Sequence, residues 1–600
     1  MALTNSSRLK LDPREIALIA IPFCVMLWVW LSSLSFVPVP WPDDSAFYFV
    51  AKEFFKWPPR WVMLPQAPFE PTYRIYNFNT MPLYPLLIGI IRFFGIDGSF
   101  GIKILPLTAW AASASLLGYA LYRNRLPFAL ALLSSSLMMF DPIPRWASVI
   151  VRPESLIGLC GVAIVLGLTL GFPKRFQERG FWHPLSFLLA VGAYAHFNAV
   201  HLLWPVLLVL ITRPREMIRV GCFTLLYLTP WIITVALKPA LFVHQMTLQW
   251  SRLAIPNGWL ETPAKAVDAL FNDMGSPETW PALVHPAMWV FSMLVIVAIF
   301  WGLLSGLKNV ADHRRESSAH SAPPSPTAPS RHPLSPASFS LAPAGAWVLG
   351  AVWLWHSKPE VWFTTYTHLA LWTFCGLALL KLHRAKLGTQ VRSTKTSAKG
   401  AVQDPEGKST SQGSAYTVYA RVSQYALLLP MLFCLGSFAA ADLVQERSLS
   451  KSHSWNWPTY HSFIDCIDQE LTRYETALGN PTPFRVWAPT FPDITIELSR
   501  RHPAWELTRT NDFSQRADLA VQHGHDVEAV VVPETLRWKE DTISAPAAAY
   551  PEKTSVWMTW DGYFLNRLWK EAGWKPNRYI CQRGRWEAYL FMNPVISRTK

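Results

Sequence analysis

Long apolar runs without charged side chains constrain this chain more than any other feature. Residues 16–42 contain no Asp, Glu, Lys or Arg, and six further runs are similar: 104–122, 155–173, 220–237, 279–307, 361–380 and 422–441. Each is near or above the roughly 17 residues that a membrane-spanning helix needs. Hydrophobic residues make up 51% of the 600 residues and charged residues only 16%. The pattern predicts a polytopic membrane protein and excludes a soluble enzyme.

The first apolar run predicts a retained helix rather than a cleavable signal peptide. It is longer than the ~7–15-residue apolar core of a signal peptide. It also ends in Pro and Trp instead of a small-residue cleavage site. We therefore expect this run to be the first membrane helix.

Basic residues in the short loops orient the predicted helices. Arg8, Lys10 and Arg14 precede the first helix, which places the N-terminus in the cytoplasm. Alternation through the later basic loops predicts about eleven transmembrane helices and leaves the C-terminal segment outside. The net charge of +14 is thus explained by topology, and no nucleic-acid partner is predicted.

The predicted fold class is an α-helical polytopic membrane protein with a small external α/β domain. Residues 1–441 form the membrane domain, in which the polar segments 312–340 and 385–417 are predicted to be disordered cytoplasmic linkers. Residues 442–600 form the external domain. Its strand-like stretches at 484–487 and 529–533 flank a helical pattern at 492–501.

The seven cysteines form no metal or redox motif. Five lie within apolar runs, and none occurs in a C-x-x-C pair. Cys466 and Cys581 lie in the external segment, where a disulfide persists. Pairing and two free thiols both stay open, because a sequence gives no distance between the two Cα atoms.

The first external loop, residues 38–103, contains two amphipathic stretches. Apolar residues recur at helical spacing in each stretch: Phe47, Val50, Ala51, Phe54 and Phe55, then Leu83, Leu86, Leu87, Ile90, Ile91 and Phe94. Both are too short or too basic for a span. They predict two helices in the membrane interface that flank a polar segment.

Two groups of charged residues lie at the external ends of apolar runs. Asp43 and Asp44 follow the first run, and Arg152 and Glu154 precede the fourth predicted span. The first pair has a structural interpretation as a helix N-cap, and the second as a salt bridge that holds a turn. Charged side chains at a membrane boundary cost free energy unless they form ion pairs or take part in binding or catalysis. Each group therefore has a functional interpretation as well as a structural one.

Together these motifs resemble the C-type glycosyltransferase superfamily, particularly its aminoarabinose-transferase and protein-mannosyltransferase-like branch. The resemblance covers roughly residues 15–235. It rests on the acidic pair before an aromatic helix at 43–48, the Pro-Leu-Tyr-containing helix at 81–87 and the external Arg-x-Glu at 152–154. No single motif is specific, but their order and spacing are.

The resemblance implies an inverting hexosyl- or pentosyltransferase in the bacterial inner membrane. Such an enzyme moves a monosaccharide from a polyprenyl-phosphate donor to a glycan, lipid or protein hydroxyl on the external face. Asp43 would be the base, and Asp44 would raise its pKa by like-charge proximity. Arg152 would hold the phosphate and Glu154 would orient Arg152, while Tyr84 would contact the substrate.

One departure from the family pattern leaves the phosphate contact open. The family often has Lys-Pro-Pro ahead of Leu-Tyr, whereas this chain reads Thr-Met-Pro at 80–82. Either Arg74, Lys103 or Arg152 therefore contacts the phosphate of the lipid donor, or this protein uses a different donor. His196, at a predicted external turn, either lines the same cavity or is solvated. A divalent metal is compatible with the carboxylates, but no ligand spacing requires one.

Two other functions compete with the transferase. A transporter or lipid flippase of envelope glycan precursors also needs many spans, and a non-catalytic scaffold needs only the external domain. Transporters usually carry paired repeats or helices broken at mid-membrane, whereas the charges here cluster at external helix ends. The sequence therefore favours the transferase.

Overall fold

The structure is a computed structural model that describes most of the membrane part and most of the external sheet. The described residues are 12–31, 42–62, 72, 75–172, 180, 182–211, 213–250, 284–319, 340–357, 361–398, 422–440, 457–488, 493–509, 527–533, 576–583 and 586–593.

Sixteen α-helices and one 3₁₀ helix form the described membrane part. They are α1 (Pro13–Leu31), α2 (Pro42–Phe54), α3 (Leu83–Phe93), α4 (Gly98–Gly101), α5 (Ile104–Arg123), α6 (Phe128–Phe140), α7 (Pro142–Ser148), α8 (Glu154–Leu170), α9 (Trp182–Ala195), the 3₁₀ helix (Phe197–Leu202), α10 (Leu203–Leu210), α11 (Pro214–Leu237), α12 (Pro239–Trp250), α13 (Val284–Ala319), α14 (Ala342–Ser357), α15 (Val361–Ala398) and α16 (Val422–Ala440).

Five described segments are long and apolar enough to cross a membrane. They are Pro13–Leu31, Gly98–Arg123, Pro214–Leu237, Pro286–Lys308 and Val422–Ala440. Shorter apolar helices, including α6, α8 and α14, pack among them. The polytopic helical class predicted from the sequence is confirmed, and the number of eleven spans stays a prediction.

The outer surface of the bundle is apolar. Leu226, Phe300 and Leu429 are each more than 60% exposed, and they lie on three of the spanning helices. Large exposed apolar patches mark contact with a membrane or a partner. In a membrane-spanning bundle, such exposed apolar side chains are suited to contact with lipid tails.

The helices α13 and α14 approach each other through glycine. A Cβ atom added to Gly302 would lie 2.5 Å from the Cα of Gly345, closer than real Cβ atoms come. Small residues let helix backbones meet closely in membranes, where the hydrophobic effect does not drive helices together.

The two predicted linkers begin inside helices, which corrects their boundaries. Helix α13 continues to Ala319, past the predicted start at 312, and α15 continues to Ala398, past 385. Residues with charged and small side chains extend a helix into water, because intrahelical hydrogen bonds need no bilayer. The other residues of both linkers lie outside the described part of the chain.

The C-terminal domain, which the basic loops predict to be external and which is called the external domain below, carries a five-stranded sheet in the order β2-β1-β3-β5-β4. Its elements are α17 (Trp457–Ala477), β1 (Arg485–Ala488), α18 (Thr495–Arg501), β2 (Glu506–Arg509), β3 (Ala529–Pro533), β4 (Pro576–Arg583) and β5 (Trp586–Met592). Strand β1 pairs in parallel with β2 and β3, whereas β5 pairs antiparallel with β3 and β4. The predicted α/β class is confirmed.

A disulfide ties the first helix of this domain to its sheet. Cys466 on α17 is bonded to Cys581 on β4, with the two Cα atoms 5.7 Å apart. Of the two possibilities that the sequence left open, the structure shows the paired one.

Candidate active site

A buried ion pair joins α2 to the start of α5. Asp44, in the first turn of α2, is completely buried, and its Oδ2 lies 3.3 Å from Nζ of Lys103. Its Oδ1 accepts the backbone N–H of Val151 at 2.8 Å. Lys103 also donates to the carbonyl of Val149 at 2.5 Å. Because α2 begins at Pro42, Asp44 does not take the N-cap position, and its carboxylate serves a tertiary contact instead.

A second buried ion pair follows two residues after this contact. Arg152 donates through Nε and Nη2 to Oε1 of Glu154, at 3.1 and 3.0 Å. Both side chains are buried, and Glu154 begins α8. The salt bridge considered from the sequence is therefore present. In the described part of the chain, Oε2 of Glu154 has no hydrogen-bond partner.

Tyr84 on α3 lies beside both ion pairs. Its ring contacts Phe47 edge-on, with the centroids 5.1 Å apart, in an apolar cluster that includes Val151. Burial raises the pKa of the Tyr84 phenol well above its ordinary value, and the negative charges of Glu154 and Asp44 add to the increase. Among the described residues its hydroxyl has no hydrogen-bond partner. The hydroxyl is thus a neutral donor, available to a bound polar group.

The external domain packs directly on these helices through α18. Glu497, almost completely buried, accepts the backbone N–H of Ser99 in α4 at 2.8 Å. Lys52 on α2 donates to the hydroxyl and the carbonyl of Ser499. Ile496 joins the same apolar cluster as Tyr84. The domain therefore forms part of the wall around the site.

The segment that directly follows the short helix α7 presents the backbone groups that Asp44 and Lys103 use. Asp141, just before α7, accepts from Trp372 Nε1 at 2.6 Å and lies 2.6 Å from Nδ1 of His368, both on α15. It also accepts the backbone N–H of Ile143. All three side chains on this contact are completely buried. Helix α7 is thus anchored at its start, and this anchor positions Val151, three residues after the helix ends.

His196 acts as a helix cap. Its Nδ1 accepts the backbone N–H of Asn198 at 3.1 Å, at the start of the 3₁₀ helix. The turn predicted here from the sequence is present. One turn further on, His201 packs against Tyr366, with ring centroids 4.3 Å apart.

Tyr366 is a site residue that the sequence did not indicate. Both Glu154 and Arg152 act electrostatically on its hydroxyl, and its side chain is completely buried. It lies in an apolar run on α15, so its spacing gives only the signal of a core aromatic. Because Tyr366 is far from Glu154 in sequence, the sequence does not show that the two residues interact.

The structure brings together four of the residues predicted for the site: Asp44, Lys103, Arg152 and Glu154, with Tyr84 beside them. The side chains of Asp43 and Arg74 lie outside the described residues, although the backbone of Asp43 is in the first turn of α2. No group of three or more His, Cys, Asp or Glu side chains that could hold a metal occurs in the described ranges.

Buried charges with unused oxygen and hydroxyl groups are typical of functional sites. Two ion pairs within a membrane boundary cost desolvation energy. The unpartnered Oε2 of Glu154 and hydroxyl of Tyr84 add to that cost unless a ligand satisfies them. The arrangement can therefore bind a polar group. Oε2 of Glu154 needs a hydrogen-bond donor such as a hydroxyl, whereas the Tyr84 hydroxyl and the Arg152 guanidinium can donate to an anion.

The fold is that of a multispanning helical membrane protein with a C-terminal α/β domain. No protein-family model and no curated protein sequence matches the chain. The fold is similar to that of ArnT from Cupriavidus metallidurans bound to undecaprenyl phosphate, with a TM-score of 0.52 and 12% sequence identity over 96% of this chain and 98% of that one. ArnT in the apo state gives a TM-score of 0.50, again at 12% identity, over 96% and 97%. The fold expected from the sequence resemblance is confirmed.

Proposed function

We propose that this protein is a glycosyltransferase that moves a monosaccharide from a polyprenyl-phosphate donor to an acceptor hydroxyl on the external face of the membrane. The observation that carries the proposal is the buried Arg152–Glu154 pair, which has an unpartnered carboxylate oxygen and the Tyr84 hydroxyl beside it. The similarity to ArnT, a structure of which contains undecaprenyl phosphate, supports a lipid-linked donor.

In this proposal Arg152 binds the phosphate of the donor. A guanidinium presents donors in a fixed fork that matches phosphate geometry. Glu154 holds one side of that fork through Nε and Nη2, which fixes the orientation of the guanidinium. The isoprenoid tail stays in the bilayer while the sugar reaches the external face, which explains a charged site at the end of an apolar bundle.

The reaction needs one base and one stabilised leaving group. The acceptor oxygen attacks the anomeric carbon, the bond from that carbon to the phosphate oxygen breaks, and the polyprenyl phosphate leaves with the electron pair. Asp43 takes the proton of the acceptor hydroxyl, and Arg152 stabilises the charge that grows on the phosphate. A single displacement of this kind inverts the anomeric configuration.

Asp44 acquires a different role from the one that the sequence suggested. Lys103, 3.3 Å from its carboxylate, compensates its negative charge. We therefore do not assign to Asp44 the like-charge effect on Asp43 that the resemblance implied. We assign Asp44 and Lys103 to positioning the loop that carries Arg152, and Lys103 is not needed as a phosphate ligand.

The substitution Asp43→Asn tests the proposal. It keeps the size of the side chain but removes the proton acceptor, so turnover should fall by about 10²-fold or more while donor binding persists. Asp465→Asn, at a half-exposed acid of the external domain, is the matched control. Full activity of the Asp43→Asn variant would show that Asp43 is not the catalytic base.

The substrates themselves can be identified by mass spectrometry of envelope glycans and lipid-linked sugars with and without the protein. Loss of one glycan together with accumulation of one lipid-linked sugar is the expected result. If the protein is instead a transporter, the purified protein in detergent will not transfer sugar from donor to acceptor.

We further propose that Met1 faces the cytoplasm and Lys600 the external side of the bacterial inner membrane, from the distribution of basic loops. Fusions to a reporter that is active only outside should work after residue 445 and fail after residue 320 or 400. Activity at either of the last two positions would contradict the eleven-span topology.

A further inference from the structure

A cavity lies at the end of the bundle opposite to Arg152. It has a volume of about 780 Å³ and is formed between α5, α8, α9 and α11. Helix α5 runs from Lys103, at the candidate active site, to Arg123, at this cavity. Its 20 residues span about 30 Å at 1.5 Å per residue. The cavity is therefore separate from the site of the proposed transfer.

Hydrocarbon side chains form most of the wall of this cavity. They include Leu116, Ala163, Leu166, Leu170, Phe187 and Leu188. A volume in the range of about 300–1,000 Å³ with an apolar lining and a few polar groups is typical of a ligand pocket. The lining fits an acyl chain and not a sugar.

The rim of the cavity is polar and carries excess positive charge. Arg123 and Asn124 line it. Arg384 donates to the carbonyl and the Oδ1 of Asn124, at 3.2 and 2.9 Å. Arg123 also lines an adjoining open cavity together with Arg125. Three arginines therefore lie at this end of the bundle: Arg384 bonded to Asn124, and Arg123 and Arg125 at the adjoining cavity.

Two carboxylates nearby only partly balance these arginines. Glu15 lies 2.7 Å from Nε of Arg123, and Asp12 accepts from the hydroxyl of Tyr122. Arg125 acts on Arg384 as a like charge. An anion at this rim would relieve that repulsion, and its hydrocarbon chain would enter the adjoining cavity.

We propose that this cavity binds one acyl chain of an anionic phospholipid, whose phosphate lies against Arg123, Arg125 and Arg384. Basic pockets between membrane helices recognise anionic head groups in this way. The polyprenyl donor does not fit the same description, because its phosphate is assigned to Arg152 at the other end of the bundle. The lipid is a bound component of the fold and not a substrate.

Native mass spectrometry of the purified protein tests the proposal. With phosphatidylglycerol and phosphatidylcholine added in equal amounts, the wild type should retain phosphatidylglycerol in preference by about tenfold, because the rim is cationic. Equal retention of the two lipids would overturn the proposal.

Two variants locate the lipid. Ala163→Trp fills the cavity, and Arg125→Gln combined with Arg384→Gln removes charge from the rim. Each should lower retention of phosphatidylglycerol by about tenfold. The controls are Leu226→Trp on the exposed lipid face and Arg215→Gln at an exposed basic position, and both should retain the lipid.

Two further measurements keep the test decisive. Ala120→Leu, a smaller filling of the same cavity, replaces Ala163→Trp if that variant elutes as an aggregate. Inorganic phosphate alone should not raise the thermal unfolding temperature of the wild type, whereas phosphatidylglycerol should. A rise with phosphate that equals the rise with lipid would show a simple anion site and overturn the proposal. Retention that is unchanged in every cavity variant would also overturn it.

Discussion

The two buried ion pairs of the candidate site differ in how completely their carboxylate oxygens are used. Asp44 accepts the N–H of Val151 with one oxygen and faces Lys103 with the other. Glu154 uses only Oε1 toward Arg152, and Oε2 has no hydrogen-bond partner in the described ranges.

This difference separates a structural pair from one that is open to a ligand. A closed pair stabilises the contact between two elements, here α2 and the segment that precedes α8. A buried oxygen without a partner costs free energy in every state that lacks a ligand. Arg152 and Glu154 are therefore the better candidates for direct contact with the donor, and Asp44 and Lys103 hold them in place.

The largest effect is expected at the closed pair. Lys103→Met leaves the Asp44 carboxylate buried without its cation, which costs about 3–5 kcal/mol. We expect a large fall in thermal unfolding temperature and in the yield of folded protein. The double variant Asp44→Asn with Lys103→Met should recover much of the loss, since it removes both charges. Lys56→Met, at a half-exposed lysine whose partner Glu53 keeps its ion pair with Arg60, should have little effect. A stable Lys103→Met protein would show that the pair does not hold the site.

The open pair should affect activity more than stability. Arg152→Lys keeps the charge but loses the guanidinium fork, so kcat/KM for the donor should fall by about 10²-fold. The unfolding temperature should change little. Arg219→Lys, at a half-exposed surface pair with Glu216, is the control. A variant that loses stability but keeps kcat/KM would make Arg152 a structural residue.

A smaller effect is expected where the external domain meets the site. Glu497→Ala leaves the buried N–H of Ser99 without an acceptor, at a cost of about 1–3 kcal/mol, and loosens α4 next to Lys103. Turnover should fall, and Glu497→Gln should restore it because an amide oxygen also accepts this bond. Glu470→Ala breaks only an exposed pair with Arg473. Equal activity of the Ala and Gln variants would mean that the contact does not position the site.

The smallest effect concerns Lys52, whose described hydrogen bonds go to Ser499 rather than to a carboxylate. Burial, together with the cations Lys56 and Arg92, lowers its pKa from the ordinary value of 10.5 to about 8. The unfolded chain therefore binds more protons between these values, and stability rises as pH increases from 8 to 10.5. Lys52→Met should remove this part of the rise. The test is the thermal unfolding temperature of the wild type and of Lys52→Met across this pH range. Parallel curves for the two proteins would contradict the prediction.

Much of the fold was predictable because its causes are local. Uncharged runs identify helices in lipid, since a charge in the bilayer is costly whatever the rest of the chain does. The apolar stretches predicted as strands at 484–487 and 529–533 correspond to β1 and β3, with β1 one residue later than predicted. The short helix α7 was missed because its two prolines, Pro142 and Pro144, are typical of a turn.

The sequence by itself determined the helical membrane class. It also indicated a structural or functional role for Asp44, Arg152 and Glu154, because charged side chains at a membrane boundary are costly. Only the tertiary structure decided which partners they take. Lys103 neutralises Asp44, and Glu497 reaches Ser99 across 398 residues of chain. The energy of such a contact depends on burial and on distances between groups far apart in sequence. Those quantities are set when the helices pack, and no local pattern encodes them.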